Sequence, residues 1–241
     1  MDVSGKVVII TGASEGIGRA AVQCFTEAGA KVVLVARSRE KLESLAEELR
    51  AQKRDVLVLP TDMRDCGAVK LMVDQACDHF GRIDILINNA GQSAAGPVAT
   101  IDVAHFRLIM ELNVYGALYA IQAVVPKMRL GGGGEILNIS SMVSKLRLPG
   151  LGTYAATKAA LNLLSATARV ELAAENIRVI TVFPRTTATD FGKHAVGDTA
   201  LRERQRSGAA RSGQVIDSAE YVAKKILEAA QTEPEEMYME G

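Results

Sequence analysis

The stretch Thr11-Gly12-Ala13-Ser14-Glu15-Gly16-Ile17-Gly18 decides how this chain is read. An apolar, β-branched run over 6–11 precedes it and a helix-period segment over 16–28 follows, so it turns a strand into a helix. Glycines at such a turn let the backbone bend sharply and approach a pyrophosphate, whose charge is favoured at a helix N-terminus. The spacing is Gly-x-x-x-Gly-x-Gly, not the commoner Gly-x-Gly-x-x-Gly. A strand–helix turn without a ligand can carry the same glycines; the strand before and the helix after favour binding.

The same alternation continues outward. Further strands are expected over 31–35, 55–59, 83–88, 135–140 and 177–183, each a near-continuous apolar run suited to a parallel strand covered on both faces. Helices are expected over 39–52, 66–80, 103–128 and 153–174 between them, and over 218–231 with Ser218 or Asp217 as cap. Residues 236–240 read as a last short strand. This predicts a single α/β domain over 1–241, a Rossmann-like doubly wound parallel sheet of six or seven strands with helices on both faces. The glycine run 131–134 reads as a surface turn, because no helix starts after it. Residues 185–213 lack periodicity and read as a lid over a substrate.

Composition narrows the partners. Of 241 residues 48% are hydrophobic and 23% charged, ordinary for a globular chain, and 28 basic residues balance 28 acidic ones. Nothing in that balance points to nucleic acid or an anionic membrane surface. No stretch of about twenty residues is free of charged, glycine and polar breaks, so no membrane span is expected. Cys24, Cys66 and Cys77 have no metal-ligand spacing and read as thiols in a reducing compartment. The N-terminal residues 1–6 lack a basic region leading into an apolar run, and a cytoplasmic enzyme is expected.

Later segments add chemistry. Tyr154 and Lys158 stand four apart on an expected helix, on one face, so the ammonium can sit near the phenol. A free tyrosine holds its proton to a pH of about 10, and a nearby positive charge lowers that. A neutral phenol can protonate a nascent alkoxide; a phenolate can accept the proton in the reverse reaction. Tyrosine and lysine at this spacing also occur on helices with no such role.

Together these motifs resemble the short-chain dehydrogenase/reductase family. The carriers are the glycine turn, Asn88-Asn89-Ala90-Gly91, Leu112-Asn113-Val114, Asn138-Ile139-Ser140-Ser141 and Tyr154-Ala155-Ala156-Thr157-Lys158, in the family's order from about 5 to 184. The resemblance implies hydride transfer between a nicotinamide dinucleotide and a carbonyl or secondary alcohol, with Tyr154, Lys158, Ser141 and Asn113 as the catalytic set. Ser141 would orient the substrate oxygen, as a stabiliser and not a nucleophile. Its rival Ser140 points to the other side of the strand. Asn113 would hold a water leading from Lys158 to solvent.

By the same resemblance Gly12, Ser14, Gly16, Ile17 and Gly18 hold the cofactor, Asp62 and Met63 lie by the adenine, and Asn89, Ala90 and Gly91 follow the ribose. Tyr154 and Lys158 also touch the cofactor. Pro184, Thr187 and Thr189 match the segment that meets the nicotinamide, but Arg185 replaces the family's glycine there, and the local backbone is expected to differ.

At the second strand end no carboxylate stands ready for an adenosine 2′-hydroxyl. Ala36 is followed by Arg37 and Ser38, donors suited to a 2′-phosphate, so NADP(H) is the expected cofactor. Glu15 counts against this mildly, since some NADP-using relatives have a basic residue there. A solvated Arg37 with no cofactor preference is the plainer reading.

Other features carry less. His79 and His105 read as solvated helix residues, and His194 lies in the lid within reach of a substrate. Arg202, Arg204, Arg206 and Arg211 would suit a phosphorylated or carrier-bound acyl group, though such runs are usually solvated. The alternatives to a small-molecule carbonyl reductase or alcohol dehydrogenase are a 3-oxoacyl (carrier-protein) reductase, a non-catalytic dinucleotide sensor and a methyltransferase on a similar sheet. The last two leave the Tyr154–Lys158 helix without a task. Surplus apolar residues on 103–128 and 153–174, Leu163 and Val170 among them, predict a homo-oligomer, dimer or tetramer.

Overall fold

Val7–Thr11, the first strand (β1), is buried at every position, as a Val/Ile run covered on both sheet faces must be. A computed structural model of the chain describes residues 1–198 and 215–240. The strands that follow are β2 (Lys31–Ala36), β3 (Val56–Pro60), β4 (Ile85–Asn88), β5 (Ala94–Ala95), β6 (Gly134–Ile139), β7 (Ile177–Phe183), β8 (Val196–Gly197) and β9 (Glu236–Tyr238). Seven of them form one parallel sheet in the order β3-β2-β1-β4-β6-β7-β9. The expected short terminal strand is therefore the seventh, paired through Val182 and Met237.

The helices are α1 (Gly16–Glu27), α2 (Arg39–Ala51), α3 (Cys66–Phe80), α4 (Val103–Met110), α5 (Gly116–Leu130), α6 (Gly152–Leu172) and α7 (Ala219–Thr232). Alternation along β1 divides the core. Val8 and Ile10 join Phe25 of α1, Leu45 of α2 and Ile226 of α7 on one face. Val7 and Ile9 join Met72 of α3, Val124 of α5 and Leu172 of α6 on the other. Ser218 caps α7, its Oγ accepting from Tyr221 N at 3.1 Å.

The expected single helix over 103–128 is two helices joined by one π-helical turn, Glu111–Tyr115. The extra residue in that turn shifts the register and sends Asn113 inward, where it is 1% exposed. Gly116 directly after it lies so close to Met63 that a Cβ would sit 2.8 Å from the Met63 carbonyl oxygen. Within the run over 103–130 an 18-residue window reaches a mean hydropathy of 1.5, long and apolar enough by composition to cross a membrane. Ala120, Ile121, Val124 and Met128 are buried against this sheet, the behaviour of a core helix.

Strand order reverses between β1 and β4, and the crevice beyond their C-terminal ends is where this sheet type takes ligands. The two-residue pair β5–β8 lies outside the main sheet and brings a late segment of the chain back to that crevice.

Candidate active site

The glycine turn leaves β1 at Thr11, whose hydroxyl accepts from Asn89 N and Ala90 N, each at 3.0 Å. Asn89 returns the bond, Nδ2 donating to Thr11 O at 2.9 Å and Gly12 O at 3.3 Å. The turn is so tight that a Cβ on Gly18 would lie 2.1 Å from Gly12 O, and Gly12 has a φ of +68°. Gly16, with φ +52°, faces the Thr189 side chain, and Ser14 and Ile17 are half-buried within the turn. Glu15 caps α1 by position alone: its side chain bonds none of the first-turn N–H groups, and that turn has no acidic residue. An anion fits there, with backbone N–H groups and the positive helix end before it.

Four of the expected residues meet at the next strand ends. Ser141 follows β6 and caps a short 3₁₀ turn, Met142–Lys145, Oγ accepting from Val143 N at 3.2 Å. Ser140 faces the other way and donates to Asn162 Oδ1 at 2.5 Å, as strand alternation requires. Tyr154 and Lys158 occupy the first two turns of α6, 8% and 4% exposed. Burial pushes the Tyr154 phenol up to about 12, against the lowering effect of its hydrogen bond with Ser141. Burial pushes Lys158 down to about 8, and its Nζ donates to Ile139 O at 2.8 Å. Asn113 accepts from Gln92 N at 2.8 Å and donates to Gln92 O at 2.9 Å and Thr157 Oγ1 at 3.0 Å. A Cβ on Gly91 would lie 3.2 Å from Asn113 Oδ1 and 3.6 Å from Lys158 Nζ, so these groups converge on Gly91. A phenol that keeps its proton beside a hydroxyl and a buried amine can donate that proton to an oxygen placed between them.

The adenosine end is more polar. Ser38 caps α2, Oγ accepting from Lys41 N at 3.4 Å, and Arg37 is exposed. Arg64 grips Asp62 through Nε at 3.0 and 3.1 Å and Nη2 at 2.5 Å, which lowers the Asp62 carboxyl; Arg37 lowers it further. Met63 is buried against Gly116, so its side chain lies in the core.

Arg185 has no left-handed φ; among the described residues only Lys53, Asn176 and Glu233 do so without being glycine. Its guanidinium instead forks onto buried Asp217 at 2.8 and 3.1 Å and donates to Glu240 O at 2.7 Å. Thr187 bridges Asp217, and Thr189 Oγ1 accepts from Phe191 N at 3.4 Å. Pro184 O accepts from Met142 N at 2.9 Å.

Several contacts escape a reading of the sequence. Phe191 packs on Tyr154 with ring centroids 5.8 Å apart. His194 lies over the glycine turn, its Nε2 3.0 Å from Glu15 Oε2, and its carbonyl accepts from Gln92 Nε2 at 2.6 Å. Lys41 pairs with Glu15 from the opposite side. Residues 202, 204, 206 and 211, the arginine cluster, lie outside the described residues, as does 199–213 of the expected lid. Among the described residues no His/Cys/Asp/Glu group could hold a metal.

The family model described as short chain dehydrogenase matches residues 6–199. An uncharacterised oxidoreductase of Mycobacterium tuberculosis is 42% identical over 185 residues, 75% of this chain and 54% of its own length. The chain thus matches about half the length of that relative. A second uncharacterised oxidoreductase, from Methylorubrum extorquens, is 34% identical over 226 residues, 92% of this chain and 90% of its own. Among solved structures, a short-chain dehydrogenase/reductase from Burkholderia phymatum in complex with NAD superposes with a TM-score of 0.91 at 26% identity, covering 99% of this chain and 90% of that one. On sequence match and architecture together, the chain belongs to the short-chain dehydrogenase/reductase family.

Proposed function

We propose that residues 1–241 form one NADP(H)-dependent oxidoreductase domain that interconverts a carbonyl and a secondary alcohol, with residues 185–213 as its substrate lid. The observation that carries it is that Tyr154 bonds Ser141 with Lys158 Nζ 6.0 Å from the tyrosine ring, while Lys158 and Asn113 meet beside Gly91, at the crevice where strand order reverses. A nicotinamide dinucleotide, when bound, supplies or accepts the hydride. The chain's own residues do the rest. Ser141 Oγ holds the substrate oxygen, and the Tyr154 phenol, protonated at neutral pH, delivers its proton to that oxygen. Lys158 carries positive charge up to about pH 8 and so stabilises negative charge growing on the phenol. The π turn that carries Asn113 would seat a water that returns protons from solvent through Lys158.

Gly12, Ser14, Gly16, Ile17 and Gly18 bind the pyrophosphate, Asp62 and the Met63 backbone lie by the adenine, and Asn89, Ala90 and Gly91 follow the ribose. Pro184, Thr187 and Thr189 lie by the nicotinamide. Arg37 and Ser38 take the 2′-phosphate. The relative solved with NAD makes this last step the one to test first.

The three cysteines are free thiols, in keeping with a cytoplasmic enzyme. A groove between α5 and α6, lined by Leu118, Ile121, Val125, Leu161 and Leu164, is the surface through which copies pair.

Consumption of NADPH by the purified protein is measured against ketones, aldehydes and 3-oxoacyl thioesters. Turnover of one carbonyl class supports the reading, and no turnover of any counts against it.

A further inference from the structure

Glu15 stands at the glycine turn between Lys41 and His194, both brought from elsewhere in the chain. One carboxylate oxygen pairs with Lys41 Nζ, from the first turn of α2, and the other lies 3.0 Å from His194 Nε2. Lys41 holds the Glu15 carboxyl below the usual range, with a smaller lowering from His194, and Lys41 is itself raised by Glu15. The Lys41 backbone N–H points at Ser38 Oγ, so its stem begins at the end of β2 and its ammonium ends over the glycine turn. Lys41 thus spans the space between Arg37 and Ser38 on one side and Glu15 on the other.

Resting on the NADP(H) reading above, we propose that Lys41 is a second cation for the 2′-phosphate, held by Glu15 in the free protein and transferred to the phosphate on binding. A dianionic phosphate taken by Arg37 and Ser38 approaches the Glu15 carboxylate, and repulsion between the two opposes binding unless a cation stands between them. Lysine suits that exchange. Its flexible four-carbon stem and three donors let the ammonium turn from one anion to another without a backbone change. NADH has no 2′-phosphate and leaves the Lys41–Glu15 pair as it is, so Lys41 discriminates between the cofactors. Glu15, which by sequence argues against NADP(H), becomes the residue that stores the cation.

Binding titrations by nicotinamide fluorescence compare NADPH and NADH on the full chain and on Lys41→Gln, Lys41→Arg, Glu15→Gln and Arg37→Gln. Lys41→Gln is expected to weaken NADPH about tenfold and to leave NADH within about twofold, a loss that shrinks in high salt. Lys41→Arg keeps the preference, and Glu15→Gln tightens NADPH a few-fold. Unchanged NADH affinity shows that each variant still folds. If Lys41→Gln weakens both cofactors equally, or neither, while Arg37→Gln still costs NADPH affinity, Lys41 has no such role and the NADP(H) reading stands. Wild-type protein that binds NADH as tightly as NADPH overturns both.

Discussion

Lys158 stands one helical turn beyond Tyr154, its Nζ 6.0 Å from the Tyr154 ring centroid and bonded to Ile139 O. The same burial acts on the two groups in opposite senses, raising the phenol to about 12 and lowering the amine to about 8. At neutral pH the proton therefore rests on the tyrosine oxygen, and the lysine remains close to its own titration point. That ordering suits a general acid with a positive neighbour whose charge can be withdrawn.

Tyr154→Phe keeps the ring that packs on Phe191 and removes only the hydroxyl. The variant should lose about a hundred- to ten-thousand-fold in kcat and retain cofactor affinity. Stopped-flow turnover and a fluorescence titration measure the two; a variant with most of its kcat would end the proposed proton transfer.

Lys158 makes the apo-protein's stability depend on pH. Its value is near 8 when folded and 10.5 in an open chain, so between these the unfolded state binds more protons and stability rises with pH. Below about 8 both states are charged and the slope vanishes. Tyr154 acts later and oppositely, its contribution full below 10 and lost as pH climbs through about 12. Urea unfolding between pH 7 and 10 should show the rise in wild type and a flatter profile in Lys158→Met. Identical profiles would show that Lys158 is not desolvated in solution.

Much of this was legible from local sequence, for reasons the structure makes plain. The run from β1 through the glycine turn into α1 is fixed by neighbours in the chain, as is the choice of Ser141 over Ser140 by alternation. The π turn was not legible, because one extra residue in a helix leaves the apolar period nearly intact and is explained only by Asn113 meeting Gln92. The β5–β8 pair was hidden by length, since two-residue strands have no period. The Arg185 departure was visible, but its partner Asp217 lies 32 residues on.

Arg185 and Asp217 form a pair whose carboxylate is the more buried partner, 4% against 22% exposed. Arg185→Gly, the family's residue, leaves that carboxylate alone and should cost about 1–3 kcal/mol. Adding Asp217→Asn to Arg185→Gly removes the stranded charge and should recover part of the loss. Chemical denaturation of the four proteins in this cycle measures the coupling; additive losses would mean that the pair contributes nothing.

Leu164 on α6 is 39% exposed and lines the groove that α5 and α6 share, whereas Leu163 and Val170, 72% and 78% exposed, lie outside that lining. Surface of this kind on a single copy favours pairing. Light scattering at micromolar concentration should give a dimer or tetramer, and Leu118→Lys with Leu164→Lys should lower the mass. A monomeric wild type would remove the proposed interface.

The proposed preference for NADP(H) rests on the end of β2, where Ala36 closes the strand and Arg37 follows. A carboxylate at 36 would accept from an adenosine 2′-hydroxyl and repel a 2′-phosphate, whereas an arginine fork matches the phosphate. Ser38 caps α2 by accepting from Lys41 N at 3.4 Å, which leaves its O–H able to donate to a phosphate. Arg37 is exposed, so water and salt weaken its contribution, and the lower part of the range for charge-assisted contacts applies. Ala36→Asp with Arg37→Ile should therefore shift the ratio of kcat/KM values toward NADH by about one power of ten. Steady-state kinetics with both cofactors on one accepted carbonyl give the ratio. Wild-type protein with equal or better kcat/KM for NADH would contradict the assignment, whatever the double variant does.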